Sequence, residues 1–148
     1  MNTKPTFGLA LIVAMAAAAP AAGFSHPDQI GSSARAKLER AEQRWEDARI
    51  LNYSYRIRRL CFCSREFTRK VTIDVRNGKP RRTPRAYRDV NKVEKLFDVI
   101  RDGLDAEILE ARYRSGTGVP RSIYIDRSFM IADEEIGYEI TRFAVPRD

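Results

Sequence analysis

The chain has 148 residues, 27 Lys and Arg against 20 Asp and Glu, and a formal net charge of +7 at pH 7. That length suits one domain around one core. One histidine and two cysteines cannot supply the four ligands of a structural zinc site, and without a second imidazole no Ser-His or Cys-His nucleophile system is credible unless His26 docks from its N-terminal segment.

Lys4 precedes an uncharged apolar run at residues 7–19, and Ala19-Pro20-Ala21 offers small residues about a cleavage point. This order marks a secretory signal peptide. The run is shorter than the roughly 20 apolar residues a membrane span needs. Residues 1–21 are therefore expected to be removed, by cleavage after Ala21 or after Gly23. The mature protein is expected in the periplasm or secreted, where thiols oxidise. No cysteine follows the run for lipid attachment, and no second apolar run exists, so no transmembrane segment is expected after processing. Residues 22–33 read as a flexible polar tail and residues 34–148 as a single domain.

Ser32 or Ser33 is expected to cap the first helix. Leu38, Ala41, Trp45 and Ala48 share one of its faces, and Lys37, Arg40, Arg44 and Asp47 the other. Trp45 is expected to anchor this helix to a sheet. The period then changes to two: Leu51, Tyr53, Tyr55 and Ile57 point one way, Asn52, Ser54, Arg56 and Arg58 the other, as in a half-buried strand. A second strand is read through Phe67, Arg69, Val71, Ile73 and Val75, closed by a tight turn at Asn77-Gly78. Pro80 and Pro84 confine any third strand to a short edge. A second helix starts at Asp89 or Asn91, with a capping box from Asn91 to Glu94 and an apolar stripe of Val90, Val93, Leu96, Phe97, Ile100 and Leu104; Gly103 ends it. Residues 108–114, 121–126 and 135–143 read as three more strands. The order α-β-β-(β)-α-β-β-β predicts an α+β fold, two helices packed on one face of a mostly antiparallel sheet.

Cys61-Phe62-Cys63 is the sharpest local feature. Cysteines two apart on a strand lie about 6.6 Å apart at Cα, near the upper limit of about 6.8 Å for a disulfide. Leu60 and Phe62 are apolar on the parity that is polar up to Arg58, so the inside face is expected to switch near Arg59, through a bulge or a strand end. Four readings stay open: a disulfide pinning the end of the strand, a labile disulfide for thiol exchange, a dithiolate for Cu(I), or two free thiols.

Residues 56–88 hold twelve Lys and Arg against Glu66 and Asp74, which predicts one basic face. Its candidate anion contacts are Arg56, Arg58, Arg69, Lys70, Arg76, Lys79, Arg81, Arg82 and Arg85. Nucleic acid is not the expected partner of an exported chain; an anionic envelope component or an acidic protein is, with a merely solvated hairpin as the plain alternative. Gly116-Thr117-Gly118 lacks the Lys-Ser/Thr of a phosphate loop. Asp126 and Asp133-Glu134-Glu135 lack calcium-loop spacing and read as an acidic loop. Tyr53, Tyr55, Tyr113, Tyr124 and Tyr138 fit core or rim packing. No catalytic set assembles, no metal or cofactor is expected, and the oligomeric state is left open. A non-catalytic binding or accessory protein is thus the first reading; a thiol-redox or Cu(I)-handling protein acting through Cys61 and Cys63 is the alternative.

Several pieces together resemble the bacterial exported family known as domain of unknown function 6174. They are Trp45 before Tyr53-x-Tyr55, Cys61-Phe62-Cys63, the Val71/Ile73/Val75 strand with Gly78, and Val93 with Leu96-Phe97-x-x-Ile100. Further on come Tyr113, Gly118-x-Pro120, Ile123-x-Ile125-Asp126, Ala132-Asp133-Glu134-Glu135 and Tyr138. The likeness spans about residues 38–143. It implies an exported or lipid-anchored protein, although this chain lacks the lipid-attachment cysteine, and it implies no particular activity.

Overall fold

Alternating apolar residues at 53–57 and 71–75 build the centre of the molecule, because a strand directs successive side chains to opposite faces. The computed structural model describes residues 27–128, 130–131 and 133–146, with side chains from residue 31 onward. The predicted export signal, the start of the predicted tail and His26 lie outside the described residues. The elements are α1 (Pro27–Ala48), β1 (Tyr53–Leu60), a single helical turn α2 (Arg65–Thr68), β2 (Val71–Arg76), β3 (Lys79–Arg81), a 3₁₀ segment (Arg85–Val90) kinked at Tyr87, α3 (Val93–Asp102), β4 (Ile108–Tyr113), β5 (Pro120–Asp126) and β6 (Ile136–Ala144). The strands form one sheet in the order β3-β2-β1-β6-β5-β4, and all neighbours run antiparallel. This is the expected α+β class.

The register places Tyr53, Tyr55 and Ile57 opposite Val75, Ile73 and Val71, and Ile123 and Ile125 opposite Tyr138 and Ile136. These residues share one face. They form a single core with Leu38, Ala41 and Trp45 of α1 and with Val93, Leu96, Phe97 and Ile100 of α3. Each large side chain so buried stabilises the fold by about 1.5–3 kcal/mol relative to exposure. Trp45 anchors α1 as expected, meeting Tyr53 edge-on at 5.2 Å and Phe143 at 6.2 Å between ring centroids.

Four local expectations are corrected. Helix α1 starts at Pro27, ahead of Ser32, so residues 27–33 of the predicted tail are helical; proline suits a first helical position, where its fixed φ fits and no N–H is needed. Leu51 is outside the first strand and 60% exposed, because the chain is still turning out of α1 through Arg49, whose φ is 49°. Phe67 belongs to α2 instead of a strand, and β2 begins only at Val71. The box from Asn91 to Glu94 does not form. Val93 N–H donates to Tyr53 Oη at 3.1 Å, and Glu94 Oε1 accepts from Trp45 Nε1 at 3.0 Å. Tyr53 of the covered face thus supplies an acceptor to the start of α3, which has no side-chain cap at Lys92, while Trp45 of α1 holds the Glu94 carboxylate. Gly103 ends α3 as expected.

Asn77 and Gly78 adopt φ of 49° and 70° and close the β2–β3 hairpin. Gly78 N–H donates to Leu51 O and Asn77 N–H to Asn52 Oδ1, both at 2.9 Å. The short β3 sits at the sheet edge, as its Pro80 requires.

Candidate functional site

Residues of the opposite strand parity form a second sheet face, which no described helix covers. On β1 these are Ser54, Arg56, Arg58 and Leu60; on β2, Thr72, Asp74 and Arg76; on β3, Lys79 and Arg81. Asp74 stands across from Arg81, and Arg76 from Lys79. Five cations therefore share this half-face with one acid. Asp74 pairs with Arg76 at 3.1 Å, and Arg58 reaches Glu139 on β6 at 2.9 Å. Among the described residues Arg56, Lys79 and Arg81 have no ion-pair partner.

The nine cations singled out from the sequence thus divide. Arg56, Arg58, Arg76, Lys79 and Arg81 are brought together. Arg69 and Arg85 instead line a small hollow of about 280 Å³ with Glu66, Pro84 and Ala86. Lys70 and Arg82 flank β2 and β3 and are exposed.

Cys61 and Cys63 are joined as a disulfide, with Cα atoms 5.3 Å apart. That separation is shorter than an extended strand gives, because Cys63 N–H donates back to Cys61 O at 2.9 Å and bends the chain just after Leu60. Phe62 stands at the tip, 87% exposed.

The inside face does not switch at Arg59. Arg59 stays on the core parity and is 7% exposed, while Leu60 turns outward and is 45% exposed. The guanidinium lies 5.3 Å from the ring centroid of Tyr138 and 5.6 Å from those of Phe67 and Tyr87, and pairs with the half-exposed Asp89. Aromatic faces carry negative charge density, so three rings and one carboxylate replace the water that this cation gives up. The Tyr87 hydroxyl lies between the carbonyls of Phe67 (2.7 Å) and Arg69 (2.6 Å) and accepts a long bond from Arg59 N–H at 3.4 Å. This cluster fastens α2 and the 3₁₀ segment to β1. Sequence reasoning missed it because a charge was assumed to face water; the strand parity from Tyr53 through Ile57 to Arg59 was the available signal.

Several of the other singled-out groups have a place in the fold. Burial pushes the Tyr113 and Tyr138 hydroxyls up to about 12 and raises Tyr53 and Tyr55 as well, so these phenols keep their protons at neutral pH. Asp126 is buried and accepts from Ser128 N–H at 3.1 Å, turning the chain out of β5. Gly118, at φ 74°, lies so close to α1 that a Cβ would fall 1.9 Å from Ala41 O, which explains the glycine without any phosphate. Among the described residues no group of three His, Cys, Asp or Glu could hold a metal ion, and no helix is long and apolar enough to cross a membrane.

The model of the family of unknown function DUF6174 matches residues 37–145, from the middle of α1 to just past β6. The chain belongs to that family. The matched span contains the Trp45–Tyr53 contact, the Cys61–Cys63 loop, the uncovered cationic half-face and Gly118. No curated protein and no solved structure is significantly similar to this DUF6174 chain.

Proposed function

We propose that this is an exported, non-catalytic binding or accessory protein that engages an anionic envelope component or an acidic protein through the cationic half of its uncovered sheet face. The observation that carries the reading is the gathering of Arg56, Arg58, Arg76, Lys79 and Arg81 beside one acid on adjoining strands. Like charges held together cost self-repulsion and are relieved by an anion. Localisation rests on the apolar run at 7–19 and its small-residue boundary.

The test is binding to a sulfated polysaccharide, to vesicles of anionic phospholipid and to an acidic protein, each measured from about 0.05 to about 0.5 M salt, a range over which screening shortens severalfold. Binding to at least one that weakens steeply with salt, and is lost in the double variant Arg56→Glu with Arg81→Glu, supports the reading. Salt-independent binding, or full binding by the variant, refutes it.

Exposure of Cys63 in the two-residue-spaced disulfide favours a second reading, thiol exchange. Thiol counting in glutathione buffer decides it: a bond that stays closed removes this reading and leaves a strand-end clasp.

A further inference from the structure

The two edges of the sheet differ. Strand β3 is three residues long, carries Pro80 and is flanked by cations, devices that blunt an edge. Strand β4 has six residues, Ile-Leu-Glu-Ala-Arg-Tyr, without proline or glycine, and none of the described strands pairs with its outer side. Its alternate residues Leu109, Ala111 and Tyr113 lean on the core yet remain half-buried, while Glu110 and Arg112 project on the uncovered face.

We propose that the occupant of this edge is a second copy of the chain, paired β4 to β4 antiparallel about a two-fold axis at Ala111. Parity narrows the choices first. A two-fold axis perpendicular to the sheet keeps the helix-covered faces of both copies on one side, so each residue must meet one of its own parity. The axis therefore passes through a residue, not between two. An axis at Glu110 would oppose two carboxylates, and one at Arg112 two guanidinium groups, and like charges directly opposite are unfavourable. An axis at Ala111 instead sets Glu110 opposite the partner's Arg112 and Arg112 opposite the partner's Glu110. It also sets Leu109 opposite the partner's Tyr113 on the covered side and the small Ala111 opposite its own copy. Both charge pairs are attractive, and the half-buried apolar residues complete one another's burial. The segment Leu-Glu-Ala-Arg-Tyr is thus complementary to itself in one register. The product is a continuous twelve-stranded sheet with both cationic half-faces on the same side, which lets one extended polyanion be held at two places. The inference is independent of the anion reading, which a strictly monomeric chain would leave standing.

Sedimentation velocity on the purified processed chain, from about 1 to about 300 μM (free energies of association between about −8 and −5 kcal/mol), is expected to show a mass rising toward twice that of one chain. Glu110→Arg alone and Arg112→Glu alone each turn both charge pairs repulsive and are expected to weaken the dimer about tenfold or more. An equimolar mixture of the two variants pairs only opposite charges and is expected to regain dimers. Both side chains are exposed, and circular dichroism checks that each variant stays folded. A chain monomeric at every concentration, a dimer indifferent to either substitution, or a mixture that stays monomeric would overturn the proposal.

Discussion

On the covered side of β1, Tyr53 accepts from the first amide of α3, Tyr55 donates to Val90 O at 2.6 Å, and Arg59 is ringed by three aromatic side chains. On the other side of the same strand Arg56 has no ion-pair partner among the described residues, and Arg58 meets Glu139 within reach of water. Arginines one and three residues apart thus live under opposite rules. Inside, the cation is a structural cross-link whose value lies in packing and in partners fixed by the fold. Outside, it is a screened charge that contributes little to stability and is available to a ligand.

Substitutions should separate the two sides by size of effect. Gly118→Ala is expected to be the most severe, at least about 3 kcal/mol or outright failure to fold, since a methyl group would strike the α1 backbone at a positive φ. Chemical denaturation of variant and parent measures it. Arg59→Ala removes the side chain from among three rings and is expected to cost about 2–4 kcal/mol. Arg59→Met keeps most of the volume, and because Asp89 reaches solvent the loss should stay within about 1 kcal/mol. Equal losses for the two would mean that charge, not packing, holds the cluster. Tyr53→Phe leaves the Val93 amide buried without its acceptor and is expected to cost about 1–2 kcal/mol, read from the same denaturation curves.

Alkaline pH offers a softer probe of the covered side. Tyr113 and Tyr138 hold their protons to about 12, first because of burial, with nearby Glu42 and Asp89 adding to the rise. The unfolded phenols titrate near pH ~10. Their contribution is fully present below about pH 10 and is lost as pH rises from about 10 to about 12, because the unfolded state releases protons that the folded state keeps. Phenolate absorbance should lag behind model tyrosine, and the denaturation midpoint should drop across that window. The smallest effect belongs outside: Arg56→Gln is expected to shift stability by no more than about 0.5 kcal/mol, although it directly follows the buried Tyr55. A larger loss would mean that the uncovered face is structural after all.

Much of this division is written in local patterns. The stripe Val93, Leu96, Phe97 and Ile100 and the alternation at 53–57 and 71–75 point to elements that the structure contains, since apolar periodicity reports directly on which side meets a core. The turn at Asn77-Gly78 and the edge position of Pro80 were equally legible, being properties of two or three residues. What was hidden depends on contacts far apart in the chain. Phe67 continues the strand alternation on paper, yet it turns into a helix over Arg59. Asn91 and Glu94 have capping-box spacing, yet Tyr53, forty residues upstream of Val93, supplies the acceptor. The cationic half-face was legible as composition but not as membership: Arg69 and Arg85 share its charge and lie elsewhere because β2 begins two residues after Arg69.

One modest pair of bonds shapes how the cationic hairpin would work. Its tip is tethered by Gly78 to Leu51 O and by Asn77 to Asn52, where the chain leaves the first helix. These bonds tie the hairpin tip to the segment that follows α1, so under the proposed reading little ordering would remain to oppose capture of a polyanion. Charges held in this way would then discriminate by the spacing of a ligand's charges more than by their number.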